Sequence, residues 1–330
     1  MFKIRKGRRS QDLLFCAIIA NHERIHGGEI MLAIIVLVVL TITYGVYRYT
    51  FAADKRRESN DEFPNYAGYE YMAEGFNKRI HEIQKVPYQK VSILSRDGLP
   101  LCGKYYEAAE GAPIVMMFHG YRSSAIRDGI GIFRFCQEEG YNILLVDQRA
   151  HGESGGKTIT FGVKERYDCL DWVNHAVAHF GKDTKIIIMG LSMGAATVLM
   201  ATDLGLPENV KGVIGDCGFS TPKDILCSTM RNMKLPVGPT YFFAKIGALL
   251  FGGFDIEGAS AKEALKKCKI PVLLIHGEAD KIVPCHMSHE NYEACVSEKD
   301  ILTVPEAGHA MSYFFNREEY TKRVKGFMKN

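Results

Sequence analysis

Residues 185–204 read KIIIMGLSMGAATVLMATDL and decide the fold of this chain. The opening apolar run, 185–189, is typical of a strand buried on both faces, and the residues at the far end read as a helix. Between them, GLSMG (190–194) forms a sharp strand-to-helix turn that accepts only small residues two positions from Ser192. Such a turn exposes the Ser192 hydroxyl at a helix N-terminus, where the dipole favours negative charge. We predict that Ser192 is a nucleophile; an ordinary glycine-rich turn is the alternative.

The rest of the chain from residue 90 onward alternates short apolar runs with longer amphipathic segments. The first two runs are joined by Asp97-Gly98, a dipeptide typical of hairpin turns. Later runs such as ILLV and VLLI are continuous, as in parallel strands covered on both faces. The sequence therefore predicts an α/β fold with a mostly parallel eight-stranded sheet, an opening hairpin and helices on both faces. The predicted strands are residues 90–95, 101–106, 114–118, 142–147, 185–189, 210–216, 271–276 and 300–304.

A long segment, about 218–268, interrupts this rhythm. An insertion of such length in a compact domain is usually functional. We predict a small helical cap over the active site, and a helix covering the edge of the sheet is the alternative. Several large apolar side chains of this segment suit an acyl or aromatic group: Tyr241, Phe242, Phe243, Leu249, Leu250 and Phe251.

A serine hydroxyl is a weak nucleophile and needs a general base. His309 lies in EAGHAM (306–311), shortly after the last predicted strand and before the final helix, and we predict that it is this base. His286 and His289 are weaker candidates, because they begin a helix.

The third member of such a site is an acid that orients the imidazole. Asp280 follows the strand PVLLI directly, and the chain order Ser, Asp, His is the order of the strand–turn–helix nucleophile sites. Asp280 is therefore the predicted acid, with Glu278 and Asp216 as alternatives.

Two donors are also needed for the oxyanion of a tetrahedral intermediate. The backbone N–H of Met193, directly after the nucleophile, is one predicted donor. The other is the N–H of Tyr121, in the loop HGY (119–121) after the strand IVMMF.

The N-terminal part contains an apolar run, IMLAIIVLVVLTITYGVY (30–47), without a charge. A helix of this length is about 27 Å long, which is enough to cross a hydrocarbon core. We predict a transmembrane helix or signal anchor over 30–49; a cleaved signal peptide and a buried core helix are the alternatives. Residues 50–89 are predicted to hold a linker and a packing helix (60–86) before the α/β domain at 90–330.

Residues 1–29 are basic, and GGE before Met31 can be encoded by a ribosome-binding sequence, so translation from Met31 is a hypothesis. With residues 1–29 present, the catalytic domain is expected to face outward; a start at Met31 favours a cytoplasmic domain. The side is left open, with the cysteine content leaning towards the cytoplasm. Nine cysteines without metal-ligand spacing are interpreted as reduced structural thiols: Cys16, Cys102, Cys136, Cys169, Cys217, Cys227, Cys268, Cys285 and Cys295.

The net charge of the 330 residues is only +3, with scattered basic residues and no zinc-finger or aromatic RNA-binding motif, so no nucleic-acid partner is expected. Hydrophobic residues make up 47% of the chain, which is enough for a large core.

Five segments together resemble the serine aminopeptidase and monoacylglycerol lipase-like branch of the α/β-hydrolases. They are HGY (119–121), DQRAHGES (147–154), GLSMG (190–194), HGEADKIVP (276–284) and EAGHA (306–310). The chain also resembles bacterial members that carry an N-terminal membrane segment. The resemblance covers about residues 90–330 and implies the α/β-hydrolase fold and a serine hydrolase that needs no metal or organic cofactor.

The expected substrate is a small acyl ester, cleaved through an acyl-enzyme on Ser192. A peptidase, an aminopeptidase or an acyltransferase could use the same residues, and a binding protein that kept the fold is a further alternative. The resemblance to aminopeptidases implies acidic groups that hold a substrate amine, and no such groups can be assigned from the sequence. The oligomeric state is not indicated.

Overall fold

The computed structural model describes residues 29–54, 61–63 and 68–329. The predictions for residues 1–28, and the polar stretch 55–60, lie outside the described residues. Eight strands form one sheet in the order β1-β2-β4-β3-β5-β6-β7-β8. The strands are β1 Gln89–Leu94, β2 Pro100–Tyr106, β3 Ile114–Phe118, β4 Asn142–Val146, β5 Ile186–Leu191, β6 Val210–Asp216, β7 Val272–Gly277 and β8 Lys299–Val304.

The sheet is antiparallel at its first edge and parallel from there on. β2 pairs antiparallel with both β1 and β4, and every other pair of neighbouring strands is parallel. The predicted eight-stranded, mostly parallel sheet with an opening hairpin is therefore confirmed.

Helices cover both faces of the sheet, because the side chains of each buried strand alternate between two cores. Met116 of β3 belongs to one core with Trp172, and Met117 belongs to the other with Phe133. The helices are α1 Glu29–Thr50, α2 Ala73–Gln84, α3 Ala125–Glu139, α4 Glu165–Phe180, α5 Met193–Ala201, α6 Pro222–Asn232, α7 Val237–Gly247, α8 Ala261–Leu265, α9 His286–Ala294, α10 Ser312–Phe315 and α11 Arg317–Lys329.

The segment 218–268 is helical, as predicted. It contains α6, α7, a single π-helical turn at Ala248–Gly252, and α8. We call 218–268 the helical insertion. It leaves the sheet at the carboxyl end of β6 and returns at the amino end of β7.

The packing helix before the sheet is shorter than the predicted 60–86. It begins with one 3-10 turn at Glu70–Met72 and continues as α2. Gly68 has φ +93°, a conformation that a right-handed helix excludes, and its N–H donates to the carboxylate of Glu70. The helix therefore cannot extend back through this position.

Helix α1 is the one helix in the described part of the chain that is long and apolar enough to cross a membrane. It has 22 residues and a mean hydropathy of 2.5. Its apolar side chains from Ile30 to Ile42 are between 41% and 65% exposed, which distinguishes α1 from a core helix.

The chain directly after α1 packs into the domain rather than forming a free linker. Phe51 is fully buried and meets Phe161 and Phe254 edge-to-face, with ring centroids 5.8 and 5.4 Å apart. Ala52 forms an isolated antiparallel β-bridge with Thr158, and the Ile159 N–H donates to the Phe51 carbonyl over 2.7 Å. The end of α1 is thus fixed to the catalytic part of the chain.

Candidate active site

Ser192 lies in the turn between β5 and α5, as its motif predicts. Its φ is +56° and its ψ is −115°, a strained conformation for a residue with a side chain. A Cβ on Gly194 would lie 1.9 Å from the Phe118 carbonyl oxygen, and one on Gly190 would lie 2.1 Å from Gly194 backbone atoms. The turn therefore requires glycine at both positions, and it holds Ser192 at the carboxyl edge of the sheet.

The structure brings Ser192, His309 and Asp280 together in one chain of hydrogen bonds. His309 Nε2 lies 3.0 Å from Ser192 Oγ, and His309 Nδ1 lies 2.6 Å from Asp280 Oδ2. Nδ1 donates to the carboxylate, so Nε2 is left as an acceptor for the serine hydroxyl. This tautomer allows His309 to remove the proton of Ser192.

Asp280 and His309 stabilise each other's charged form. Burial alone would lower the pKa of His309, but the negative charge and hydrogen bond of Asp280 outweigh it and raise that pKa above its ordinary value. Burial would likewise raise the pKa of Asp280, but the positive charge of His309 and hydrogen bonds from His276 and His309 hold it well below its usual range. Asp280 is therefore an anion at neutral pH and favours an imidazolium on His309.

Asp280 is held by backbone as well as by histidines. Its Oδ1 accepts hydrogen bonds from the N–H groups of Ile282 (2.8 Å) and Val283 (2.9 Å), which leaves Oδ2 directed at His309. His276 Nε2 lies 3.3 Å from the same Oδ2.

The two alternative acids have other partners. Glu278 is exposed and accepts a hydrogen bond from the Thr303 hydroxyl over 2.7 Å. Asp216 is buried, accepts a hydrogen bond from the Tyr320 hydroxyl over 3.0 Å, and has its pKa raised to about 6 by burial. The geometry therefore favours Asp280 as the partner of His309.

The loop that carries Tyr121 is held in place by hydrogen bonds to Asp128 and His151. The Gly120 N–H donates to Asp128 Oδ2 over 2.6 Å, and the Arg122 N–H donates to His151 Nε2 over 3.0 Å. A Cβ on Gly120 would lie only 3.3 Å from the Cβ of Ser192, so glycine allows the loop to approach the nucleophile. Met193, the other predicted donor residue, is buried at the first position of α5.

The imidazole of His151, in the neighbouring DQRAHGES segment, supports this loop in its neutral form. His151 Nδ1 donates to the Arg149 carbonyl, so its Nε2 is free to accept from Arg122. Burial, aided by nearby His119, lowers the pKa of His151 to about 3. Arg149 forms a bidentate pair with buried Asp168, with both distances 2.6 Å. These contacts make the segment a structural support for the loop.

The same loop is also held by the end of α1. The Tyr121 hydroxyl donates to the Thr50 carbonyl over 2.8 Å. One terminal nitrogen of Arg122 donates to the carbonyls of Tyr49 (2.9 Å) and Ala52 (3.1 Å). The last carbonyls of a helix lack intrahelical partners and carry partial negative charge, so a tyrosine hydroxyl and a guanidinium are suitable donors.

Cys217 contributes a third potential ligand atom near the pair. The ligand atoms of Cys217, Asp280 and His309 lie within 4.8 Å of one another. Both nitrogens of His309 already have protein partners, and burial raises the pKa of Cys217 well above its ordinary value. The thiolate is the form that binds metals. The donor set therefore fits a proton-transfer site better than a metal site.

A cavity of about 230 Å³ opens beside Ser192 and His309. Its apolar wall comes from the packing helix α2, from α3 and from the residues after His309. The apolar wall residues include Phe76, Ile130, Met311, Tyr313 and Phe314. The sequence did not identify them as cavity residues, because apolar residues of the same kind fill the whole core. No residue of the helical insertion is among the described residues that line this cavity. The aromatic residues predicted to surround an acyl group there lie elsewhere, partly against α1.

Comparisons with known proteins agree with this architecture. A family model described as alpha/beta hydrolase fold matches residues 113–236. The uncharacterised protein YqkD of Bacillus subtilis is 30% identical over 232 residues, covering 68% of this chain and 74% of that protein. The lysophosphatidylserine lipase ABHD12 of Rattus norvegicus is 26% identical over 246 residues, covering 67% of this chain and 56% of that protein. The structure of the Pyrococcus furiosus esterase Pf2001 matches with a TM-score of 0.62 and 27% identity, covering 75% of this chain and 92% of the esterase.

Proposed function

Because this chain belongs to the α/β-hydrolase family, we propose that it is a serine hydrolase that cleaves a carboxylic ester or a related acyl bond. The observation that carries the proposal is the hydrogen-bond chain from Ser192 Oγ through His309 to Asp280, with distances of 3.0 and 2.6 Å. A nucleophile, a base and an orienting acid in this geometry are the parts required for acyl transfer.

In the proposed reaction, Ser192 Oγ attacks the substrate carbonyl carbon while His309 Nε2 takes the hydroxyl proton. The oxyanion that forms is stabilised by the N–H groups of Met193 and Tyr121. Collapse of this intermediate breaks the bond to the leaving alcohol, to which His309 returns the proton. Water then attacks the acyl-enzyme by the same route and releases the carboxylic acid and free Ser192.

The cavity favours an acyl group over an aminoacyl group. Its wall is largely apolar, and only one of its two lining carboxylates, that of Asp128, has both oxygens bonded to protein groups. Asp128 accepts from the Gly120 N–H and the Ser123 hydroxyl on its two oxygens, whereas Asp216 accepts from Tyr320 through Oδ2 and its buried Oδ1 has no hydrogen-bond partner among the described residues. The names of two relatives, an esterase and a lysophosphatidylserine lipase, point in the same direction.

We further propose that α1 is a membrane anchor. Its exposed apolar side chains and its length of about 33 Å match the hydrocarbon core of a bilayer. The contacts of Tyr47 with the domain favour an uncleaved helix over a removed signal peptide, because Tyr47 lies within α1, is buried in the core and bonds to the Thr158 hydroxyl, and cleavage after α1 would remove it.

A comparison of substrates tests the proposed reaction. We expect the full chain, purified in detergent, to hydrolyse p-nitrophenyl esters in a series of chain lengths, and Ser192→Ala to abolish this turnover. Aminoacyl p-nitroanilides are expected to be poor substrates. Faster turnover of the anilides than of every ester would instead support the peptidase alternative.

A further inference from the structure

The helical insertion carries a group of large apolar side chains on its outside. Phe242, Leu249, Leu250 and Phe251 are 58%, 45%, 61% and 39% exposed. We call these four residues the insertion surface. They lie on α7 and on the π-helical turn that follows it, a continuous apolar helix over Val237–Gly252.

The insertion surface is continuous with the membrane-spanning candidate. The ring of Phe251 meets that of Tyr44 edge-to-face with centroids 5.2 Å apart, and it lies 5.6 Å from that of Tyr47. Gly247 permits close packing of the two helices, because a Cβ there would lie 3.0 Å from Tyr47 Cβ and 3.1 Å from the Thr43 carbonyl oxygen. Small residues at such crossings are typical of helices that pack in membranes.

These contacts fix the depth of the insertion surface relative to α1. Tyr44 lies six residues before the end of the helix, which places it about 9 Å inside that end. A side chain that packs against Tyr44 is therefore at the depth of the apolar span, not beyond it. If α1 crosses a bilayer, Phe251 and its exposed neighbours cannot remain in water.

We propose that the insertion surface is immersed in the same bilayer that α1 spans, in the outer part of the acyl-chain region below the headgroups. The partner is thus a lipid surface, and the enzyme is held by two elements, one that crosses the membrane and one that lies in it. Exposed basic residues flank both apolar elements in the sequence and suit lipid phosphate groups: Arg48 at the end of α1, and Arg231 and Lys234 before α7. Exposed Met233 and Leu235 extend the apolar character of this stretch.

The proposal rests on α1 being a membrane anchor, and the experiment separates the two ideas. The chain has a single tryptophan, Trp172, which is fully buried. Three variants of the full chain each add one tryptophan: Leu37→Trp in the middle of α1, Leu250→Trp in the insertion surface, and Val296→Trp. Val296 is a matched control, because it is 67% exposed but lies at the amino edge of the sheet, just before β8.

The proteins are reconstituted in phosphatidylcholine vesicles whose acyl chains are brominated either near the headgroup or near the methyl end. We expect Leu250→Trp emission to be blue-shifted and quenched mainly by bromine near the headgroup. Leu37→Trp is expected to be quenched mainly by bromine near the methyl end, and Val296→Trp to match the parent protein. Quenching at position 37 without quenching at 250 would overturn the proposal while leaving the anchor intact. No quenching at 37, or equal quenching at 250 and 296, would also overturn it.

A second inference comes from the separate hydrogen bonds between the end of α1 and the loop that follows β3. We infer that Tyr121 and Arg122 are positioning residues, through which α1 holds the loop whose backbone we propose for the oxyanion site. The hydroxyl of Tyr121 donates to the Thr50 carbonyl, and its ring stacks on that of Phe161 at 5.0 Å. Helix α1 then positions a loop of the proposed catalytic site in addition to anchoring the protein in the membrane.

Tyr121→Phe in the full chain removes only this hydroxyl and keeps the ring contact. We expect kcat to fall about threefold to tenfold with KM nearly unchanged, the factor that one ordinary hydrogen bond represents. Affinity for a trifluoromethyl ketone, which forms a tetrahedral oxyanion on serine, should fall by a similar factor. Tyr241→Phe is the matched control, since it removes a hydroxyl that donates to exposed Glu257 away from the cavity. Unchanged kcat and ketone affinity in Tyr121→Phe would contradict the inference, whereas a wild-type chain without Ser192-dependent turnover would contradict the proposed function itself.

Discussion

Replacing Asp280 with asparagine changes the charge of the proposed acid but almost nothing of its shape. In the structure, Oδ1 accepts hydrogen bonds from the N–H groups of Ile282 and Val283, and Oδ2 faces Nδ1 of His309. The amide oxygen of asparagine must keep the first position, because the amide nitrogen cannot accept from two N–H groups. The NH₂ group is therefore directed at His309 Nδ1.

This exchange reverses the tautomer of the base. Nδ1 becomes the acceptor, so the proton moves to Nε2, which can no longer accept the proton of Ser192. A loss of about 10⁴-fold in kcat is expected for this kind of change, or about 5 kcal/mol of transition-state stabilisation. Removal of the negative charge also lowers the pKa of His309, which Asp280 raises in the wild type.

The assay is the pH dependence of ester hydrolysis. His309 must be neutral to act as a base, so wild-type activity falls as pH decreases through its raised pKa. In Asp280→Asn the residual activity should fall at a lower pH than in the wild type. Glu278→Gln is the control, because the Glu278 carboxylate is exposed and accepts a hydrogen bond from the Thr303 hydroxyl, and this variant should retain wild-type rates.

A different result would refute the assignment of the acid. If Asp280→Asn keeps more than about a tenth of the wild-type kcat, the tautomer argument fails. If Asp216→Asn then shows the large loss, the carboxylate at the end of β6 is the acid and the hydrogen bond from Tyr320 is secondary.

Three further substitutions have outcomes set by packing and charge. Phe51→Ala should lower the free energy of unfolding by about 3–5 kcal/mol in a denaturant titration, because it empties a fully buried site after α1; a change below about 1 kcal/mol would show that residues 51–53 are not part of the core. Gly194→Ala should give no soluble, folded protein on size exclusion, since the added Cβ would lie 1.9 Å from the Phe118 carbonyl oxygen. Asp168→Asn removes one of the two carboxylates bonded to buried Arg149 and leaves the pair with Asp97, so thermal unfolding should report a loss of about 1.5–3 kcal/mol; an unchanged midpoint would contradict a contribution of the buried pair to stability.

The sheet could be predicted from the sequence because buried parallel strands leave a local signal. β3 and β6 have the predicted bounds, and the other strands differ from prediction by one or two residues at one or both ends. Ser192 was found for a related reason, since the close approach of Gly194 to Phe118 permits no larger residue at that position. Features that depend on local steric fit or on continuous burial can therefore be predicted from a short stretch of sequence.

Contacts between distant segments could not be predicted in the same way. Phe51 packs against Phe161 and Phe254, and Tyr121 bonds to Thr50. Nothing in the sequence around these residues indicates which distant residue each one contacts. The role of the helical insertion illustrates the same limit. Its apolar side chains suggest a substrate pocket, whereas Phe251 packs against α1, Phe242, Leu249 and Leu250 are exposed, and none of them lines the cavity. Helix α2 supplies Phe76 to the cavity instead.

Whether Ser192 is an activated nucleophile can be tested directly by labelling the full chain in detergent with a fluorophosphonate and locating the adduct by peptide mass spectrometry. A phosphonyl group on the peptide that contains Ser192, absent from the Ser192→Ala protein, is the predicted result. A folded protein that remains unlabelled, or is labelled equally in Ser192→Ala, would contradict the claim that Ser192 is an activated nucleophile.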